Sequence, residues 1–133
     1  MKSLRLIAAS VLLLAAAPTL PVAHAQLQGT TRTDLQRHDL SVPGREVIQA
    51  RVDIAPGVTA PRHRHPGEEI VYMIEGTLEY RLDGRAPVTL EPGEVLFIPA
   101  GVVHAVTNVG SGNAAELATY VVEKGKPLLV LAE

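Results

Sequence analysis

The chain contains no cysteine. That excludes disulfides, thiolate zinc sites, iron–sulfur clusters and cysteine nucleophiles. Aromatic residues are scarce: Tyr72, Tyr80, Phe97 and Tyr120 are the whole set. Each reads more readily as core or interface than as part of a cofactor box. There is no long basic run, and the formal net charge is −2, so nothing suggests a nucleic-acid surface. No stretch beyond the N-terminal segment is a convincing helix, and no low-complexity segment divides the chain.

The one long apolar run lies at the start. Lys2 and Arg5 precede the uncharged segment Leu6 to Leu20, and Ala23-His24-Ala25 follows with small residues where a signal peptidase reads. This pattern predicts a signal peptide over 1–25, cleaved after Ala25, and a periplasmic or secreted protein. The run is short for a membrane span, which needs about twenty residues, and Pro18 and Pro21 interrupt it. The expected mature chain, Gln26 to Glu133, suits one small domain with no membrane partner. Without disulfides, its stability has to come from the core, from oligomerisation or from a bound metal.

Residues 26–45 are polar, with a turn signal at Val42-Pro43-Gly44, and read as an extended arm. Residues 46–133 read as the folded domain. There, Ile48, Ala50, Val52 and Ile54 alternate with Gln49, Arg51 and Asp53, the mark of a half-buried strand. Ile70 to Ile74, Leu78 to Leu82, Val95 to Ile98, Val102 to Val106 and Leu117 to Val122 continue the pattern, and Asp83-Gly84 signals a hairpin. About eight short strands with turns every eight to twelve residues predict an all-β sandwich or small barrel. The polar arm and the C-terminal "LLVL" have no evident partner. Exchange of arms in a homodimer is one way to cover the sheet edges.

The residues with metal chemistry are grouped. His63 and His65 sit two apart, so a strand turns both imidazoles to one face. Glu69 follows the turn-forming Pro66-Gly67. His104 opens or lies within a later strand and is a candidate fourth ligand. Imidazole and carboxylate suit divalent zinc, manganese, iron, nickel or copper. A lone H-x-H is a weak signal, but the spacing around it is specific. Gly57-x5-His63-x-His65-x3-Glu69-x6-Gly76 and Gly93-x5-Pro99-x-Gly101-x2-His104-x3-Asn108 resemble the two conserved motifs of the small single-domain cupins, the type-2 conserved β-barrel family. Every fixed position agrees.

The resemblance implies a jelly-roll-like double-stranded β-helix barrel of two facing sheets. It implies one divalent metal held by His63, His65, Glu69 and His104. Glu68 keeps neither motif spacing and would face the other way. Arg62 and Arg64 alternate with the histidines and should face solvent, as should His38. Asn108 reads as a loop contact. The inward neighbours Val71 and Met73 predict a largely apolar pocket with few acid–base groups. The fold alone does not choose a reaction. An enzyme of oxygenase or oxidoreductase type, dioxygenase-like and acting on a small organic substrate, heads the readings. A non-catalytic ligand-binding module, a structural metal, and a lyase, isomerase or decarboxylase are the alternatives. In an exported compartment the affinity order favours copper and zinc over iron and manganese.

Overall fold

The computed structural model describes residues 28–133. The expected signal peptide, 1–25, lies outside the described residues. Ten strands and no helix make up the described chain: β1 (Thr30–Asp39), β2 (Arg45–Ile54), β3 (Thr59–Arg64), β4 (Gly67–Glu75), β5 (Leu78–Leu82), β6 (Val88–Leu90), β7 (Val95–Ile98), β8 (His104–Asn108), β9 (Ala114–Glu123) and β10 (Val130–Leu131). They form two antiparallel five-stranded sheets, in the orders β1-β2-β9-β4-β7 and β10-β3-β8-β5-β6.

Alternation drives the layering. In β2 every second residue, Glu46 through Ile54, is buried and the intervening ones are half exposed. β4, β5 and β9 do the same with Val71 and Met73, Leu78 and Tyr80, and Ala118, Tyr120 and Val122. These inward side chains, drawn from both sheets, form one core. Burying such side chains stabilises by roughly 1.5–3 kcal/mol each for the larger aliphatic ones. Asn108 closes one end, as a loop contact. Its Nδ2 donates to the carbonyls of Ile54 and Gly112, both at 2.8 Å, and its Oδ1 accepts from Gly110 N at 2.9 Å.

Two segments behave differently from their sequence reading. The polar stretch read as an arm contains a ten-residue edge strand, β1. It pairs along nearly its full length with β2 of the same chain, from Thr30 opposite Ile54 to Asp39 opposite Glu46. Most of its side chains are exposed, so no apolar alternation marks it, and ladder hydrogen bonds to β2 rather than burial hold it. The "LLVL" segment also finds its partner within the chain: Val130 and Leu131 pair with Arg64 and His63 of β3.

Candidate metal centre

His63 lies on β3 and His104 on the adjacent β8, where they are directly opposite partners. His65 follows immediately after β3, and the chain turns through Pro66 into β4 to present Glu69 on the same inward face as Val71 and Met73. That turn depends on Gly67. A β-carbon there would sit 2.6 Å from Val122 Cα and collide with the carbonyl oxygen of Val121, so only glycine lets β4 lie this close to β9. Gly101, at φ +73°, turns the chain ahead of β8, and its N–H donates to the His65 carbonyl at 3.2 Å.

The four side chains converge. Ring centroids are 4.3 Å apart for His63 and His104, 4.9 Å for His63 and His65, and 5.2 Å for His65 and His104. One ring nitrogen from each lies within 4.8 Å of the others. Glu69 Oε2 is 3.1 Å from His65 Nε2 and 3.2 Å from His104 Nε2. All four residues are buried.

The outer nitrogens are spoken for. Nδ1 of His63 faces the Pro61 carbonyl at 2.7 Å, Nδ1 of His65 the Leu128 carbonyl at 2.6 Å, and Nδ1 of His104 the Val102 carbonyl at 3.0 Å. A carbonyl only accepts, so each Nδ1 carries the proton. This assigns the tautomers and leaves three Nε2 lone pairs directed inward. With the proton on Nδ1, His65 Nε2 and Glu69 Oε2 are two acceptors facing each other, and both are buried without a partner. A buried unpartnered carboxylate oxygen is costly, and a cation is what would relieve it. The donor set and its carbonyl supports fit a divalent transition metal.

Electrostatics follow the same geometry. Burial, with His104 beside it, lowers His63 to about 4, so its imidazole is neutral at physiological pH and available as a ligand. Burial also works to lower His104, but the Glu69 carboxylate outweighs it and the net direction is up. Burial works to raise Glu69, and its contacts with His104 and His65 outweigh that and hold it below the usual carboxylate range.

The site opens into a cavity of about 590 Å³, walled by Val52, Ile54, Val106 and Leu131 among others. A smaller hollow of about 360 Å³ near Arg37 and Lys126 has none of the four converging residues in its lining. The pocket is largely apolar, as expected, but the expectation of few acid–base groups needs correcting. Glu116, Tyr80, Tyr120 and Arg32 also line it. Glu116 Oε2 and Tyr80 Oη are buried and unpartnered. Burial, then the charge of Glu69, pushes the Glu116 carboxyl well above its usual range. Its position shares parity with Ala118, Tyr120 and Val122, a signal the sequence carries but one masked by charge, which normally marks the solvent side. As expected from parity, Arg62 and Arg64 are exposed and Glu68 is only half-buried, away from the cluster; His38, in the polar N-terminal stretch, is exposed as well.

The sequence and the fold are similar to those of known proteins. A germin-like protein 1-1 from Oryza sativa subsp. japonica is 40% identical over 79 residues, covering 56% of this chain and 37% of its own length. An oxalate oxidase structure in complex with the substrate analogue glycolate superposes with a TM-score of 0.65 at 28% identity, covering 81% of this chain and 57% of the other. A dimethylsulfoniopropionate lyase from Ruegeria pomeroyi is 41% identical over 49 residues, covering 37% of this chain and 24% of the lyase. The chain therefore spans less than half the length of these two curated relatives. The family profile described as "Cupin domain" matches residues 50–126, an interval that contains all four converging residues and both motifs. On that match, and on the two-sheet barrel that carries it, the chain belongs to the cupin family.

Proposed function

We propose that the protein is a metal-dependent enzyme of oxidoreductase type acting on a small organic substrate, with one divalent ion held by His63, His65, Glu69 and His104. The observation that carries this is the convergence of three histidine ring nitrogens and one carboxylate oxygen in a cavity large enough for substrate. Cavities of about 300–1,000 Å³ are the usual size for small-molecule sites. Bound manganese, iron, nickel or copper would supply Lewis acidity and electron transfer; zinc would supply only the former. The chain's own part is to hold the imidazoles in one tautomer, to exclude water with its apolar walls and to bind the substrate's remainder. The likeness to oxalate oxidase supports the oxidoreductase reading.

Elemental analysis of protein from its native compartment tests it. One equivalent of a redox-active metal per chain, lost in His63→Ala and His104→Ala but kept in His38→Ala, is the expected result, with oxygen uptake on oxalate, glycolate or small phenols. Metal-free protein whose melting temperature ignores chelator would overturn it.

A lyase is the second reading, favoured by the unpartnered Tyr80 and Glu116 acids beside the site and by the lyase relative. Product formation without oxygen consumption would select it. The outer face of β4 and β7 exposes Ile70, Tyr72, Val95 and Phe97, which supports a homodimer. The leader-like segment supports export, which N-terminal sequencing beginning at Gln26 would establish.

A further inference from the structure

We propose that the pocket takes a carboxylate-bearing substrate with an apolar body, and that Arg32, with Thr30 beside it on β1, anchors the carboxylate. The proposal rests on the functional reading above for where the reacting end lies, but the anchor is a separate set of atoms.

Thr30 and Arg32 are the two half-buried positions of a strand whose other residues are exposed. Spaced by two, they share one face, and both line the metal-site cavity. Thr30 Oγ1 and Arg32 Nε are buried and have no partner. A guanidinium N–H and a hydroxyl left bare in an apolar wall are costly, and an anion accepting from both would remove the cost.

The guanidinium is held in place. Asp34, 77% exposed, forms an ion pair with it from the solvent side, Oδ1 to Nη2 at 2.9 Å, while Nε has no partner. The guanidinium carbon lies 5.7 Å from the centre of the Tyr120 ring, a cation–π distance. Tyr120 in turn lies 4.8 Å from the His65 ring. The anchor and the ligand cluster thus flank one aromatic wall.

The acids that face this space are Glu69 and Glu116. Glu69 belongs to the ligand cluster. Glu116 lies in the same cross-sheet row as Arg32, with Val52 between them. It makes no ion pair with Arg32, whose salt bridge is with Asp34 on the solvent side. The space between the two poles is walled by Val52, Ile54 and Val106, which suits a body of several carbons or one ring.

Titration calorimetry on the metal-loaded protein with hexanoate and its neutral isostere hexanamide tests this. Hexanoate should bind roughly tenfold to a hundredfold more tightly, the difference a charged hydrogen bond makes. Arg32→Gln should erase that preference while leaving hexanamide affinity and melting temperature unchanged, and Thr30→Val should reduce it less. The preference should survive in His104→Ala, because the anchor does not need the metal. Equal binding of acid and amide, no hexanoate binding at millimolar concentration, or an undiminished preference in Arg32→Gln would each overturn the anchor. Absence of metal from the wild type would overturn the functional reading alone.

Discussion

At the scale of single residues, the site is built as much by what supports the ligands as by the ligands. The three carbonyls of Pro61, Val102 and Leu128 decide which nitrogen of each imidazole is free. Gly67 decides whether Glu69 can reach them. Gly67→Ala should therefore destabilise by about 2 kcal/mol or more, because backbone rather than a flexible side chain obstructs the new methyl group. Denaturant unfolding would measure it, and an unchanged midpoint would show that β4 can move away from β9 at little cost. The four converging residues were legible from strand parity taken together with the resemblance to the two cupin motifs. Arg32 and Glu116 were not, because a charged side chain on an inward parity position looks the same in sequence as one facing water.

At the scale of strands, legibility followed burial. β2, β4 and β5 alternate cleanly because one face meets the core, and the hairpin at Asp83-Gly84 is set by its turn residues. β1 escaped because its side chains scarcely enter the core; what holds it is ladder bonding and side-chain pairs, among them that of the exposed Arg37 with the buried Glu46 carboxylate. Arg37 grips Glu46 with two hydrogen bonds of 2.6 Å, and Glu46 is only 3% exposed. That hydrogen bonding, opposed by burial, keeps the Glu46 carboxyl below its ordinary 4.5. The folded state then binds this proton more weakly than the unfolded chain. Its contribution is present above about pH 4.5 and is lost as pH falls through the lower folded value. Arg37→Ala should lower the melting temperature at pH 7 and much less at pH 3. An equal loss at both would mean that the pair does not secure β1.

At the scale of the whole molecule, a chain without disulfides can draw further stability from the proposed metal and the proposed second copy. Metal bound only by the folded state adds RT ln(1 + [M]/Kd), about 2.7 kcal/mol at a hundredfold excess over Kd. Chelation should lower the melting temperature, and the loss should vanish in His104→Ala. On the outside, Ile70 pairs with Phe97 and Tyr72 with Val95 across β4 and β7, an exposed apolar row on a sheet edge. Phe97→Glu should convert a dimer to a monomer by light scattering at micromolar concentration. A wild type that is already monomeric there would refute the interface.

The 2.6 Å contact between His65 Nδ1 and the Leu128 carbonyl has a consequence in time as well as in space. During synthesis His63, His65, Glu69 and His104 all emerge before Leu128. Until that residue arrives, His65 lacks the acceptor that fixes its tautomer, and the cavity lacks its Leu128–Leu131 wall. A chain truncated after Lys126 should hold metal roughly 10–100-fold more weakly, the usual effect of losing such a support, as competition with a fluorescent chelator would read. Metal affinity should thereby depend on the Leu128 segment being docked against His65, and the truncated chain is the direct test of that dependence.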